Sequence, residues 1–230
     1  MNVLVFIPAR GGSKGIKRKN LSKIGNKKLI DYSLDIASKL PKNFRTLVSS
    51  DNLETLNYCK KKGISSNYTR PISLSTDKSK IVDAVLHALN WLNKIENYCP
   101  DAVLLLQPTS PFRNLKEIKS AIKKFKSKKV ESMFGVVKMK EHPRECINAN
   151  KSSWSYLKKN TKKINGRQDY ESDYYFIDGS FYLSSTSFIK KYKSFVVENK
   201  SIVYKFNSDY SIDIDDMSDL RLARIISQLY

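Results

Sequence analysis

Two histidines, three cysteines, 22 acidic residues and no apolar stretch of membrane length are a short supply for 230 residues, and each shortage closes off a class of function. Cys59, Cys99 and Cys146 are isolated, odd in number and in no metal-ligand spacing, so they read as reduced thiols of a cytoplasmic protein. A membrane span needs about 20 apolar residues, and none of the apolar runs approaches that. The opening run Val3 to Phe6 is too short for a signal-peptide core and is cut by Pro8 and Arg10. No membrane partner is expected. His87 lies just off the apolar stripe of a helical pattern and reads as a packing residue; neither it nor His142 falls at a strand end of a candidate site, so no dedicated histidine base is offered.

Against the 22 acidic residues stand 42 Lys and Arg, a net charge of +20. Such an excess points first to nucleic acid. No long basic tail or aromatic-basic repeat accompanies it, and the surplus is mostly Lys scattered beside Asn, Ile and Tyr, as an A/T-rich coding sequence would give. The charge is therefore read as compositional, with no nucleic-acid partner. The length fits a single domain, 1–230, able to bury a core of its own.

What is present is concentrated near the start. Ile7 to Leu21, IPARGGSKGIKRKNL, follows a short buried-strand pattern and combines three glycines with five basic side chains. Gly11, Gly12 and Gly15 can take positive φ and let backbone approach a ligand closely, so that successive amides form an anion nest. Arg10, Lys14, Lys17, Arg18 and Lys19 would add charge-assisted hydrogen bonds to phosphate oxygens. The order Arg-Gly-Gly-Ser-Lys-Gly matches neither the P-loop nor the dinucleotide fingerprint. By itself such a loop also fits an ordinary solvated turn.

Further along, apolar spacing predicts a helix from Leu29 to Leu40, a strand at Thr46 to Ser49, and a helix capped by Asp51 or Asn52 and ended at Gly63. A short strand is expected around Ser66 to Tyr68, before an extended Arg70-Pro71. Ile81 to Ile95 carries the clearest helical stripe. Ala102 to Leu106 is a continuous apolar run, the pattern of a strand covered on both faces, and it delivers Gln107 to the strand's carboxyl end, where open α/β sheets bind ligands. A helix through Leu115 to Phe125 and a strand at Ser132 to Val137 complete an alternation that predicts a doubly wound α/β sheet. The alternation fails over about residues 138–178, a polar segment with isolated aromatics. It reads as an insertion, either a loop or an arm that meets a second subunit, and Trp154 with Tyr156 favours the arm. Strands are then expected at Gly179 to Leu183, near Val196-Val197 and at Ile202 to Phe206.

The chain closes with Ser211-Ile-Asp-Ile-Asp-Asp216 before a helix from Met217 to Leu229. In a strand, Asp213 and Asp215 would project from one face while Ile212 and Ile214 pack on the other. Two adjacent carboxylates repel unless a cation lies between them, which makes the pair a candidate for Mg²⁺ beside a substrate phosphate. The alternative is that Asp215 or Asp216 merely caps the last helix; both readings hold if Asp216 is the cap and Asp213 and Asp215 are the ligands.

Taken in order, these stretches resemble the acylneuraminate cytidylyltransferase family, whose members make CMP-activated sialic, legionaminic and pseudaminic acids. The resemblance rests on residues 7–21, Arg70-Pro71, LLQPTSPFR at 105–113, Arg167-Gln168-Asp169, DGSFY at 178–182 and SIDIDD at 211–216, and so runs nearly end to end. It implies a Rossmann-like, mostly parallel sheet of the nucleotide-diphospho-sugar transferase type and a homodimer whose arm reaches the partner's site. It also implies Mg²⁺-dependent transfer of CMP from CTP to an acidic nine-carbon 2-keto sugar. By matching position, Arg10, Gly11, Gly12, Ser13, Lys14 and Asn20 would meet the nucleotide and its phosphates. Arg70 and Gln107 would line the base and sugar region, and Asp213 and Asp215 would hold the metal. Arg10, Lys14 and Asp215 would carry the catalysis. Gln107, Lys140, Arg167, Gln168 and Tyr182 would face the acyl sugar or come from the partner. The family commonly has Asn at Asp178 and Leu-Pro at Tyr170-Glu171, which leaves the sugar's identity open. Activation of 3-deoxy-manno-octulosonic acid is the alternative, ranked lower because its usual opening lacks the Arg-Gly-Gly-Ser-Lys-Gly order.

Overall fold

In the computed structural model, which describes residues 1–64, 66–127, 130–158, 173–206 and 211–229, the first apolar run becomes the strand β1 (Val3–Pro8). Its side chains alternate as a pleated strand must. Val3, Val5 and Ile7 join one buried cluster, and Leu4 and Phe6 join another on the opposite face. Both faces are covered, so polar side chains have no place in this strand.

A short antiparallel pair, β2 (Lys23–Ile24) and β3 (Lys27–Lys28), leads into α1 (Leu29–Ser38), followed by β4 (Arg45–Ser49), α2 (Leu53–Lys61), α3 (Ile81–Glu96) and β5 (Ala102–Leu105). Then come α4 (Leu115–Ser127), β6 (Ser132–Lys138), β7 (Ile147–Ala149), β8 (Trp154–Tyr156) and β9 (Tyr175–Phe176). The remaining elements are β10 (Tyr182–Ser185), α5 (Thr186–Tyr192), β11 (Ile202–Lys205) and α6 (Met217–Ile226). The main sheet runs β11-β6-β10-β5-β1-β4, with β9 on β6. Helices α1 and α4 cover one face and α3 and α5 the other, so the sheet is doubly wound.

The sheet is parallel at β1–β4, β1–β5 and β6–β11, but β10 runs antiparallel to both β5 and β6. This reversal matters for the site. Tyr182 at the start of β10 lies opposite Leu105 at the end of β5, so the turn entering β10 reaches the same rim as Gln107.

Three expected strands differ. Ser66 to Tyr68 is unpaired: the Tyr68 N–H bonds to Ser66 Oγ, 3.1 Å, instead of a ladder, and its ring lies fully buried against Trp91 with its hydroxyl 3.1 Å from His87 Nδ1. His87 is thus a packing residue. Val196 and Val197 spend their N–H groups on Ser194 and Ser201 hydroxyls, which a strand could not do. Gly179 precedes β10 as a positive-φ turn, φ 71. No described helix is long and apolar enough to cross a membrane.

Candidate active site

The basic loop leaves β1 at Pro8 and is fastened at once, Ala9 N–H donating to the Ser49 carbonyl at the end of β4. Its glycines serve close approach, and none of Gly11, Gly12 and Gly15 adopts positive φ; Arg18, φ 57, makes the left-handed bend instead. A Cβ on Gly11 would stand 2.8 Å from Asn52 Cβ, and the Gly11 N–H donates to Asp51 Oδ1 at 2.8 Å. The Gly11 amide is therefore committed to the start of α2, where Asn52 caps the helix by accepting from Thr55 N–H, and it is not part of an anion nest. Gly12 has nothing within 4 Å of such a Cβ and lines an open cleft.

That cleft, about 220 Å³, is walled by Arg10, Gly12, Ser13, Lys19 and Asn20 on the loop side, by Arg70 and Asp77 across from them, and by Gln107 at the floor strand's end. Asn20 Nδ2 donates to the Arg10 carbonyl, 3.0 Å, and so holds the loop's shape. Arg70 is almost fully buried, its Nε and Nη2 each 2.8 Å from Ser49 oxygens. Burial pulls its pKa below the usual guanidinium range. Arg10 and Lys14 both bind Asp77, at 2.8 and 3.0 Å, and these contacts, Lys14 first, hold the Asp77 carboxyl below the ordinary range. Lys14 is otherwise exposed and stands at the rim.

The acidic segment meets the loop from the other side. A Cβ on Gly15 would lie 2.4 Å from the Asp215 carbonyl oxygen, so the two backbones touch and only glycine fits. Lys19 Nζ donates to the Ile214 carbonyl, 2.7 Å, and lies 3.3 Å from Asp215 Oδ1. The segment is not a ladder strand as the alternation implied. The Ile214 N–H donates to the Thr109 carbonyl, 2.8 Å, and Ser211 Oγ to Asp178 Oδ2, 3.1 Å. The segment's alternation persists without a partner among the described strands, Ile214 fully buried and Ile212 packed beside it, with Asp213 and Asp215 outward. Asp216 is the helix cap, accepting from Ser218 and Asp219 N–H groups, with Asp219 completing a capping box.

Asp213 keeps one exposed flank, yet the protein packed around its carboxyl group raises its pKa by desolvation; Thr109 opposes this and the charge of Asp215 adds to it. Such a mutually repelling pair is a fit donor set for Mg²⁺, which takes one or two carboxylates and completes its shell with phosphate oxygens and water. Among the described residues no larger cage of His, Cys, Asp or Glu gathers.

A second cleft, about 280 Å³, opens beside the first and is lined by Lys138, Lys140, Glu141, Asp178, Ser211 and Asp213 among others. Gly179 stands between Gln107 of the first and Asp213 of the second: a Cβ on it would lie 3.1 Å from Gln107 Oε1 and 4.0 Å from Asp213 Oδ2. Gln107, Gly179 and Asp213 are thus brought together. Tyr182 lines neither cleft. Its ring packs toward Phe195, and burial, then the charges of Asp213 and Asp178, raises its pKa. Arg167 and Gln168 lie outside the described residues.

Sequence reasoning passed over Arg113 and Asp77. Arg113 is buried, donating to the Ser180 and Gln107 carbonyls and, at 3.2 Å, to Ser33 Oγ, while Ser110 Oγ donates to the Asp178 carbonyl at 3.0 Å. Burial pulls its pKa to about 10 against the charges of Asp178 and Asp213. The loop after β5 thereby grips the turn before β10 and fixes the rim. An arginine inside a Pro-rich apolar loop was the available signal.

The profile of a family described as cytidylyltransferase matches residues 4–229. A pseudaminic acid cytidylyltransferase of Campylobacter jejuni is 28% identical over 98% of this chain and 96% of its own. A CMP-N,N'-diacetyllegionaminic acid synthase of Legionella pneumophila is 29% identical over 100% and 97%. An N-acylneuraminate cytidylyltransferase of Escherichia coli is 28% identical over 98% of this chain, which spans about half, 52%, of that relative. Among solved structures, a CMP:2-keto-3-deoxy-manno-octonic acid synthetase complexed with CTP aligns over 100% of both chains with a TM-score of 0.68 at 12% identity. A 4-diphosphocytidyl-2C-methyl-D-erythritol synthase of Anaerococcus prevotii aligns over 98% of this chain and 96% of its own at 0.63 and 14%. At these identities the structural likeness concerns the fold.

Proposed function

The chain belongs to the cytidylyltransferase family, and from that premise we propose that it transfers CMP from CTP to the anomeric hydroxyl of an acidic nine-carbon 2-keto sugar of the sialic, legionaminic or pseudaminic type. The observation that carries this reading is the backbone contact of Gly15 with Asp215, which sets the cationic loop and the acidic segment side by side, with Lys19 of the first cleft 3.3 Å from Asp215 Oδ1. The first cleft takes the nucleotide and the second, with Lys140 at its wall, takes the sugar. Gln107, at their junction, contacts both ligands.

In the reaction the anomeric oxygen forms a bond to the α-phosphorus as the bond to the bridging oxygen breaks, and pyrophosphate leaves with that electron pair. Arg10, Lys14 and Lys19 offset the charge that builds on the departing phosphates, acting as preorganised donors. Asp213 and Asp215 would hold Mg²⁺, which when bound supplies charge neutralisation at the phosphates. The hydroxyl proton passes to water or to an aspartate of the pair, since His87 is engaged with Tyr68. The aromatic β7–β8 pair, with Trp154 and Tyr156 exposed and their rings 5.3 Å apart, is the surface that would meet a second copy in a homodimer.

Pyrophosphate release, followed with CTP and a panel of nonulosonic acids in the presence of Mg²⁺, tests the reading. Release is expected with at least one of them and not with ATP in place of CTP. No release with any sugar, from protein that binds CTP, would remove the assignment.

A further inference from the structure

One carboxylate in the first cleft has a sign opposite to that of the groups around it. Asp77 stands between two of the loop's cations, Oδ1 2.8 Å from Arg10 Nη1 and Oδ2 3.0 Å from Lys14 Nζ. It is carried on a tightly built turn. The Ser79 N–H donates to the Thr76 carbonyl at 3.2 Å, the Thr76 N–H to Ser79 Oγ at 3.1 Å, and Ser79 Oγ to the Ser73 carbonyl at 3.0 Å. Just upstream, Ser75 Oγ donates to the Pro71 carbonyl, 3.1 Å, next to Arg70 with its anchor on Ser49. The turn is thus fastened to the carboxyl end of β4, and Asp77 reaches from it to the opposite wall.

Two acceptor oxygens held separately by a guanidinium and an ammonium form the pattern that a phosphate group would make with the same pair. We propose, building on the triphosphate reading of this cleft, that Asp77 is an internal phosphate surrogate. It keeps Arg10 and Lys14 aimed across the cleft while no nucleotide is bound, and it yields them to the nucleotide's phosphates. Every anion entering the cleft must displace the same carboxylate. A nucleoside triphosphate, with base, ribose and further phosphate contacts, tolerates that competition; inorganic phosphate and the departing pyrophosphate do not. Asp77 therefore weakens every anion alike, and the small ones, with no base or ribose contacts to offset the loss, are held too weakly to occupy the cleft. Exposed ion pairs are individually weak, which suits a contact that must exchange in each turnover.

The test is calorimetric binding of pyrophosphate, CTP and cytidine, in metal-free buffer, to the wild type, Asp77→Asn and Asp77→Glu. Asp77→Asn should bind pyrophosphate about three- to tenfold more tightly, the scale expected when two exposed ion pairs stop competing. Cytidine, which has no phosphate, should bind unchanged. Asp77→Glu keeps the charge and should match the wild type within about twofold. In turnover, inhibition by pyrophosphate should strengthen in the Asn variant alone. Pyrophosphate binding that is unchanged or weaker in Asp77→Asn, or equally tightened in Asp77→Glu, overturns the proposal. Should the wild type bind both CTP and pyrophosphate while Asp77→Asn gains nothing, the surrogate fails and the triphosphate cleft stands. Should the wild type bind neither, both fail.

Discussion

The two clefts of this molecule, the first proposed for the nucleotide and the second for the sugar, are built in different ways. Around the first cleft the walls are held by bonds to backbone carbonyls: Ala9 and Arg70 to Ser49 at the end of β4, and Gln107 to Arg113 in the loop after β5. Around the second, part of the wall is the end of β6 and the residues just after it, Lys138 to Glu141, with the exposed Phe176 beside them. Phosphoryl transfer needs groups fixed to a fraction of an ångström, since preorganised donors lose their value when they must move. Recognition of one sugar among several needs a surface that can be altered without disturbing that chemistry. On the proposed reading the first task falls to strand ends and the second to a wall with exposed side chains, which separates the two.

Mutations can break this division at graded cost. The largest effect is expected at Asp215→Asn, which should lower kcat by about 100-fold or more, the scale on which metal-site changes act, while the melting temperature stays near that of the wild type because the side chain is exposed. Unfolding of that variant would point to a structural role instead. Lys14→Ala should lower kcat by about 100-fold, as removal of one preorganised donor does, measured by steady-state pyrophosphate release. Gly15→Ala forces a methyl to within 2.4 Å of the Asp215 carbonyl. It should cost about 1–3 kcal/mol of stability, as overpacking does, and lower kcat as the loop and the acidic segment are pushed apart. On the other side, Trp154→Ala should leave CTP affinity unchanged and shift sedimentation toward the monomer. An altered CTP affinity would show that the two sides are not separate.

The smallest effect is a pH dependence of stability. The Asp213 pKa is raised, chiefly by desolvation, so in the metal-free protein its ionised form weakens folding above the folded-state pKa, and this penalty disappears as pH falls below the unfolded value. Asp213→Asn should therefore be slightly more stable than the wild type at neutral pH and no more stable in acid, by thermal melts at both pH values. The sequence of stabilities in reverse would contradict the burial argument.

Much of the first side was legible from residues alone. The continuous run Ala102 to Leu106 marked a doubly covered strand, and Gln107 fell where such strands end. The stripe of Ile81 to Ile95 gave α3 nearly to its ends. Periodicity does not encode direction, however, so the reversal of β10, which brings Gly179 to Gln107, could not be read. Nor does alternation require a ladder: Ile212 and Ile214 pack inward from a segment that pairs with none of the described strands. Glycines were legible as special but not in what way, because the same residue serves a positive φ at Gly179 and a close backbone contact at Gly15. Asp77 gave no signal, since Thr-Asp-Lys-Ser is an ordinary turn sequence until Arg10 and Lys14 are placed beside it.

CTP affinity with and without Mg²⁺, in the wild type and in Asp215→Asn, reports on whether the basic loop and the acidic segment hold one triphosphate between them. The account predicts that Mg²⁺ tightens CTP binding to the wild type and does nothing for the variant, whose metal-free affinity remains that of the wild type. An equal gain from Mg²⁺ in both proteins would contradict it.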